Sequence, residues 1–473
     1  MNNGYYSLHN HTDASNARLI DSINKPTDLI KRAFDLGLSG IAITDHETIK
    51  AHVKASQFIK KKRTETEGEE REKWENFKVI FGNEIYLCRN GLNSENYDSK
   101  KDKFYHFILL AVDEIGHEQI RRISTKAYGH SFMKNRMLRV PTYYKDLEEV
   151  IGEDKGHLIA SSACIGGFLG TKLLKASAQE RYKDYFNEEI EHLKSWIEYI
   201  QSIFGKENFF LELQPSDNEE QIYVNKWLIN FSKELNIPAI VTCDSHFLKR
   251  EDREIHKAYL NSKEGDREVD AFYATAYLMG EEEIHSYMDK YNGAETVQIL
   301  LDNTKIIGDR ITNYYLEKNF KLPYLPSEED KILANNKNFN RIKEHNSEIW
   351  NNFINSEEAA DRVFIHRILD KCHSKPEEFL TDESIDQIEI ELDTVWKASK
   401  KQNIIWSKYF LQVADYIKIA WDEGDTIVGC GRGSGVGFYL NYLLDITQIN
   451  PLREKVRTYF WRYLNPERVS ILD

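Results

Sequence analysis

Seven short apolar segments of strand type alternate with amphipathic helical segments between residues 5 and 260. The first segment ends at Leu8, and the other six are GIAITD (40–45), KVIFGNEIYL (78–87), FILLAV (107–112), HLIASSA (157–163), FFLELQ (209–214) and AIVTCD (239–244). In the intervening segment at 26–38, Pro26 suits a first helical turn and Gly37 a helix C-terminal cap. Seven βα-like units in succession predict an α/β fold whose strands form a parallel barrel rather than an open sheet.

The composition changes after about residue 275. Asn, Lys, Glu and Asp dominate as far as residue 395, and helical patterning replaces the βα alternation. A chain of 473 residues is long enough for two or three domains with separate cores. We therefore predict a boundary near 275–285, with a barrel domain at 1–278 and a mostly helical second domain at 279–473.

Net charge and cysteine usage restrict the class of protein. The formal net charge of -14 argues against a surface that binds nucleic acid everywhere, so any DNA contact must be local. The five cysteines are scattered and form no CxxC pair, which favours a reducing cytoplasm over a disulfide framework. The first residues show no secretion signal, and no apolar run approaches the length needed to cross a bilayer. The sequence predicts a soluble, cytoplasmic protein with no membrane partner.

Histidines and acidic residues follow the predicted strands in an unusual number. They are His9 and His11 after the first strand, Asp45 and His46 after the second, Glu84 late in the third, His106 beside the fourth, Cys164 after the fifth, and Asp244 and His246 after the seventh. The C-terminal ends of barrel strands converge on one mouth, so these side chains can meet. A single His or Asp at a strand end is more often a capping residue, but the full set favours a site for zinc, manganese or iron with more than one ion.

Six motifs occur in the order of the PHP (polymerase and histidinol phosphatase) domain and cover residues 1 to about 275. They are SLHNHTDAS, ITDHE, GNEIYL, YHFILLA, SSACIGG and TCDSHFL. The resemblance implies a distorted (β/α)7 barrel with nine metal ligands: His9, His11, Asp21, His46, Glu84, His106, Cys164, Asp244 and His246. Among them, the residues given catalytic roles are His9, His11, His46, Asp244 and His246.

The resemblance further implies a trinuclear site that hydrolyses phosphoesters, acting as a 3′-5′ exonuclease on DNA ends. Clustered divalent ions, Zn²⁺, Mn²⁺ or Fe, would activate a water, clamp phosphate oxygens and stabilise the leaving alkoxide. Two alternatives remain open at this point. The PHP domain could be a non-catalytic scaffold that binds metal and supports a polymerase partner, or the chain could be a stand-alone phosphatase of small substrates.

A second motif, IVGCGRGSGVG at 427–437, is a strand-like run followed by a glycine loop and an apolar helical segment. Successive glycines allow backbone N–H groups to turn towards an anion, and Arg432 offers a fork for phosphate. The spacing matches neither a dinucleotide-binding GxGxxG nor a Walker A loop. By itself, such a loop could also be a tight turn.

The neighbours of this loop make it specific. SKYFLQVADYI (407–417), DITQINP (445–451) and YLNPERVS (463–470) resemble the palm of the C-family replicative DNA polymerases, the DNA polymerase III alpha subunits. The resemblance implies a DNA-directed DNA polymerase family member that binds DNA and a deoxynucleoside triphosphate, with the phosphates held by Gly431, Arg432, Gly433 and Ser434. Cys430 and Phe438 depart from the Pro and the small residue usual in that family.

The sequence ends at ERVSILD, where relatives continue into alternating aspartates. Asp473 matches the first of these acids, which is not one of the catalytic pair. We therefore expect no polymerisation by this chain alone, and Mg²⁺ only in a completed palm. The chain is expected to be half of a split polymerase, with a second polypeptide that carries the rest, and the alternative is a truncated product whose working part is the PHP domain.

Overall fold

The computed structural model describes residues 4–17, 20–134, 137–152, 154–178, 183–262, 273–316, 322–342, 348–456 and 458–468. The chain divides into two compact units, Met1–Lys318 and Asn319–Asp473. Asp473 itself lies outside the described residues. The two units are described separately below.

The first unit is built from strands and flanking helices. Its strands are β1 Tyr6–Ser7, β2 Gly40–Ile43, β3 Lys78–Cys88, β4 Tyr105–Ala111, β5 Phe132–Lys134, β6 Met137–Arg139, β7 Thr142–Tyr143, β8 Leu158–Ser161, β9 Phe209–Leu213 and β10 Ala239–Val241. Its helices are α1 Pro26–Asp35, α2 Ala51–Glu65, α3 Gly68–Asn76, α4 Glu114–Gly129, α5 Tyr144–Ile151, α6 Phe168–Ser177, α7 Lys183–Phe204, α8 Glu219–Leu235, α9 Arg253–Leu260, α10 Glu281–Asn292 and α11 Ala294–Arg310.

Seven of these strands form a curled sheet in the order β1-β2-β3-β4-β8-β9-β10, with β7 added beside the end of β3. This confirms the predicted α/β class and the distorted seven-stranded barrel sheet. The prediction of an all-parallel barrel is wrong for β4, which runs antiparallel to both β3 and β8. The segment that connects β3 to β4 explains this direction. A parallel neighbour requires a helical crossover, and residues 89–104 contain no helix.

The two outer strands of the curled sheet meet just beyond β1 and β10. Asn10 forms a parallel bridge with Ser245, and the His11 amide donates to the Ser245 carbonyl at 2.9 Å. The buried Asn10 side chain donates to the carbonyls of Ser7 and Ala42, both at 3.0 Å, and accepts from the hydroxyls of Ser7 and Ser245. One side chain thus links β1, β2 and the segment after β10.

The strands are buried on both faces, as a barrel covered by helices requires. Alternate residues point inwards, and Ile80, Ile108, Ile159, Phe210 and Ile240 belong to a small cluster inside the barrel. Their strand neighbours face the helices and form the larger core. The continuous apolar runs seen in the sequence reflect this two-sided burial.

Helix α11 closes one end of the barrel. Gly308 lies against the ring of Tyr6, and a Cβ at this glycine would be 2.2 Å from that ring. Thr304 Oγ1 accepts from the Tyr6 amide at 3.0 Å, while the Lys78 ammonium donates to the carbonyls of Gly308 and Ile311. Helices α10 and α11 therefore belong to the first compact unit, which extends past residue 278.

The second unit is mostly helical, as predicted. Its helices are α12 Glu328–Asn335, α13 Glu348–Ile354, α14 Ala359–Ser374, α15 Pro376–Phe379, α16 Asp382–Gln402, α17 Trp406–Asp422 and α18 Tyr439–Leu443. The strand-like run at 427–429 is not in a strand, since the described part of this unit offers no strand to pair with it. Among the helices of the described residues, none is long and apolar enough to cross a membrane.

Because Asn10 is fully buried and satisfies four hydrogen bonds, we expect Asn10→Ala to lower the free energy of unfolding of the first unit by roughly 2–4 kcal/mol. The control is Asn303→Ala, which removes one bond from a half-buried amide to the Ala239 carbonyl and should cost about 1 kcal/mol. Urea unfolding measures both. Equal losses in the two variants would contradict the linking role of Asn10.

Candidate metal centre

The structure brings all nine predicted ligands to one edge of the barrel. Eight of them fall into three groups with overlapping membership, and within each group the ligand atoms lie within 4.8 Å of one another. The groups are His9, His11, Glu84 and Asp244; Glu84, His106 and Cys164; and His11, His46 and His246, beside which Asp21 lies.

The first group surrounds a point between β1, β3 and the segment after β10. The Nε2 atoms of His9 and His11 are 3.1 Å apart, and each lies 2.8–3.2 Å from Glu84 Oε2 and Asp244 Oδ1. Ligands around a tetrahedral zinc, with bonds of about 2.0–2.1 Å, are separated by roughly 3.3 Å. Two imidazole nitrogens this close, facing two carboxylates, suit a shared divalent ion.

The second group uses the other oxygen of Glu84. His106 Nδ1 lies beside Glu84 Oε1, and the Cys164 sulfur is 3.4 Å from the same nitrogen. His106 is the second residue of β4, and it reaches the site because β4 runs antiparallel and therefore starts at this edge. Glu84 is thus the residue that the first and second groups share, and it would help to hold an ion in either one.

The third group shares His11 with the first group. Asp21 Oδ2 is 2.7 Å from His46 Nε2 and 3.0 Å from His246 Nε2. The Tyr273 hydroxyl donates to the other Asp21 oxygen at 2.6 Å, and the Tyr86 hydroxyl lies 3.1 Å from His46 Nδ1. Although Asp21 lies between strands in a loop, its carboxylate faces the same site.

Contacts outside the cluster fix which nitrogen of each imidazole faces it. His9 Nδ1 lies 2.6 Å from Glu212, His11 Nδ1 lies 3.2 Å from the Ser15 hydroxyl, and His246 Nδ1 lies 2.8 Å from the Asp244 carbonyl. Metal-binding histidines typically donate their second N–H in this way. All three rings consequently present Nε2 to the cluster.

Sequence reasoning missed Glu212 and the role of Asp45. Glu212 is buried within β9, where it also accepts from the hydroxyls of Ser161 and Thr242 at 2.5 and 2.7 Å. Asp45 accepts from the Ser15 hydroxyl at 2.7 Å and from the loop after β1, so it orients His11 indirectly. The sequence did contain a signal for Glu212, namely a single carboxylate inside the apolar run FFLEL. A charge buried there requires partners.

Electrostatics couple the acids to the imidazoles. Burial by itself would raise the carboxyl pKa values, but neighbouring imidazoles hold the pKa of Glu84 and of Asp244 well below the usual range. Burial likewise opposes charge on His11, yet Asp244 and Glu84 raise its pKa to about 10. Burial raises the pKa of the Cys164 thiol, and the two carboxylates add to this rise. A divalent ion would replace the protons that balance the buried carboxylates.

Two carboxylate oxygens provide a test of whether the residues fit metal ions. Glu84 Oε1 and Asp244 Oδ1 are buried and have no hydrogen bond of acceptable geometry among the described residues. Both face ring nitrogens in the cluster. Buried carboxylate oxygens without a hydrogen bond, beside histidines and a cysteine, are the donor set of zinc, manganese or iron, so the residues fit such ions.

The predicted phosphate loop lies in the second unit. Gly431, Arg432, Gly433 and Ser434 are exposed, and a 3-10 turn spans Gly433–Gly437. Gly433 has a φ of 65° and Gly431 a φ of 151°, values that L side chains rarely adopt. The glycines are therefore required by the backbone path, whether or not the loop binds phosphate.

A buried glutamate supports the helix that follows this loop. Glu391 in α16 accepts from the backbone amides of Tyr439 and Leu440, both at 2.8 Å, and from the Gln387 side chain at 2.8 Å. Its burial raises the pKa of Glu391 to about 7. No feature of the sequence singles out this residue on a helix rich in acids.

Two family models match the chain, one within each compact unit. Residues 7–216 match the family model of the PHP domain, and residues 358–473 match that of the bacterial DNA polymerase III alpha NTPase domain. The first unit therefore contains a PHP domain.

Relatives extend this result to the whole chain. It is 39% identical over 98% of its length to the probable DNA polymerase YorL of Bacillus subtilis, and to a DNA-directed DNA polymerase of Bacillus phage SPbeta. It is 29% identical over 99% of its length to the DNA polymerase III subunit alpha of Borreliella burgdorferi. The chain spans about a third of the length of these relatives, 34–36%. It is a PHP-containing relative of the DNA polymerase III alpha subunits.

We predict that the purified chain binds two or three divalent ions, measured by elemental analysis after dialysis. Because Glu212 orients His9, Glu212→Gln should weaken affinity for Mn²⁺ or Zn²⁺ by roughly 10–100-fold. The exposed Glu148 bonds Tyr199 outside the cluster, so Glu148→Gln serves as the control and should bind as the wild type. Absence of bound ions, or wild-type affinity in Glu212→Gln, would contradict the assignment.

A second prediction concerns Glu391, whose pKa rises from the ordinary 4.5 to about 7 on folding. Between these values the folded chain binds more protons than the unfolded chain. The contribution of Glu391 to stability is therefore fully present below about pH 4.5 and is lost as pH rises towards 7, by up to about 1.4 kcal/mol per pH unit. Urea unfolding from pH 4.5 to 8 should show a stability of the wild type that decreases with pH relative to that of Glu391→Gln. The exposed Asp386 on the same helix provides the control Asp386→Asn; parallel curves for all three proteins would refute the prediction.

Proposed function

We propose that the first unit is a metal-dependent phosphoesterase that removes nucleotides from the 3′ ends of DNA. The observation that supports it is the set of overlapping ligand groups joined by Glu84, which suits adjacent ions. When bound, such ions supply an activated water and hold the phosphate oxygens and the leaving group. We propose Zn²⁺, Mn²⁺ or Fe as the ions, and His9, His11, His46, Asp244 and His246 as the residues that support the reaction.

The exposure of the ligands indicates where a phosphate enters. The His106 side chain is 28% exposed and that of His46 is 14% exposed, whereas those of Glu84 and His9 are fully buried. The Tyr86 hydroxyl lies beside His46 at this opening. A phosphodiester would thus approach over His106 and His46, where Tyr86 can donate to one of its oxygens. The buried ligands exclude bulk water from the opposite side.

The second unit supports a further proposal. We infer that it forms part of a polymerase palm, in which Gly431, Arg432, Gly433 and Ser434 bind the phosphates of an incoming deoxynucleoside triphosphate. The match at 358–473 and the conformation of the glycine loop favour this function. Mg²⁺ and templated synthesis would require the regions that the longer relatives carry, on the same or a second polypeptide.

A scaffold role for the PHP domain is the competing proposal. It predicts metal binding without hydrolysis, so an activity measurement separates the two. A stand-alone phosphatase of small substrates is disfavoured because the similarity to polymerases continues through the second unit.

We expect the metal-loaded chain to shorten single-stranded DNA from its 3′ end. His11→Ala and Asp244→Asn should each reduce cleavage at least 100-fold, because each removes a ligand of the first group while the barrel core is unchanged. His130 stacks on Tyr143 outside the cluster, so His130→Ala is the control and should keep wild-type activity. Full activity in both ligand variants would exclude this site as the nuclease centre, and metal binding without cleavage would favour the scaffold.

The palm proposal is tested in a completed polymerase that contains this chain. Arg432→Ala should weaken nucleotide use by roughly 1.5–3 kcal/mol, the value of one charge-assisted contact, and leave the nuclease unchanged. Steady-state primer extension measures the first effect and 3′ cleavage the second. Equal nucleotide use in both proteins would mean that the loop has a structural role alone.

A further inference from the structure

A cavity of about 210 Å³ lies beside the metal cluster. Its walls come from the loop between β9 and α8, from the first turn of α8 and from the segment before α10. Residues that line it include Gln214, Ser216, Asn218, Asp244 and Thr275. Asp244 belongs to both the cavity and the first ligand group. A molecule bound at the cluster can therefore extend into this cavity.

The lining of the cavity disfavours a second phosphate. It contains no Lys or Arg, and its charged residues are Glu220 and Asp244. The amides at the start of α8 are already engaged, since Asn218 Oδ1 accepts from Glu220 and Gln221 at 2.8 and 3.4 Å. An anion would meet two carboxylates and occupied donors. The cavity suits a neutral polar group instead.

Gln214 offers such a group a hydrogen bond. Its side-chain nitrogen Nε2 is buried and has no partner among the described residues. Its backbone is held by Asn225, whose amide donates to the Gln214 carbonyl at 2.8 Å and whose oxygen accepts from the Gln214 amide at 3.3 Å. A fixed main chain with an unpaired buried donor is unfavourable unless a ligand supplies the acceptor.

We propose that this cavity binds the sugar and base of the nucleotide whose phosphate lies at the metal cluster, with Gln214 donating to an acceptor of the base or sugar. The choice of a nucleotide rests on the proposed nuclease function. The volume is below the range of about 300–1,000 Å³ typical of drug-sized ligands, so it accommodates one nucleoside and not two. Gln214 is thus a specificity residue that distinguishes a nucleotide from a bare phosphate.

Isothermal titration of the full chain loaded with Mn²⁺ tests the inference, with thymidine 5′-monophosphate and inorganic phosphate as probes. The wild type should bind the nucleotide at least tenfold more tightly than phosphate. Gln214→Leu should lose about tenfold in nucleotide affinity, the effect of one buried hydrogen bond, with phosphate affinity unchanged. Thr275→Val removes a second polar group from the lining and should also lower the nucleotide affinity. Gln119, a buried glutamine of α4 that bonds the Asp154 carbonyl, provides the control Gln119→Leu.

Three results would overturn the proposal: no preference of the wild type for the nucleotide, wild-type nucleotide affinity in both cavity variants, or parallel loss of affinity for both probes. If Gln214→Leu does not fold, the nucleotide affinity of Thr275→Val decides whether the cavity assignment is correct. DNA cleavage by the wild type is measured separately. Selective nucleotide binding without DNA cleavage would refute the nuclease function and support the cavity assignment. DNA cleavage together with wild-type nucleotide affinity in the variants would support the nuclease function and refute the cavity assignment.

Discussion

The position of Glu84 is the constraint on which the rest of the first unit depends. Its carboxylate is completely buried, and its two oxygens face imidazoles from the first, second and fourth strands of the sheet. A buried carboxylate is costly unless positive charge surrounds it. The strand ends must therefore bring histidines, or histidines with ions, around this one group. Metal binding and closure of the barrel edge are two consequences of the same requirement.

Contacts outside the ligand groups hold one side of the cluster in place, whereas the other side is partly exposed. Glu212 binds His9, Ser161 and Thr242, and thereby joins β8, β9, β10 and the end of β1 through one buried carboxylate. Satisfied polar networks of this kind fix ligand orientation. The opposite side, at His106 and Tyr86, is partly exposed. The buried ligands are therefore held in place, and the partly exposed side is where the proposed substrate would enter.

The second unit shows a related division between fixed and exposed parts. Glu391 anchors the start of α18 from within the helical core, while Gly431 to Ser434 remain exposed a few residues earlier. The glycine conformations are set by the chain itself. The exposed Arg432 is available for the phosphate contact that we propose. The residue that anchors the helix after the loop and the residues of the loop itself are thus different parts of the chain.

The sequence by itself determined the α/β class, the seven strands, the helical second unit and eight of the nine residues that meet at the barrel edge, whereas Asp21 was predicted only from the resemblance to the PHP domain. It did so because periodic burial and residue type at strand ends are local properties of the chain. Tertiary structure alone decided the direction of β4, which brings His106 to the site, and the sharing of Glu84 between ligand groups. It also decided the contact of Glu212 with His9 and the packing of α11 against Tyr6. These features depend on which strands become neighbours and in which direction they run, and residues 203 positions apart, such as His9 and Glu212, meet only after the sheet has curled and closed.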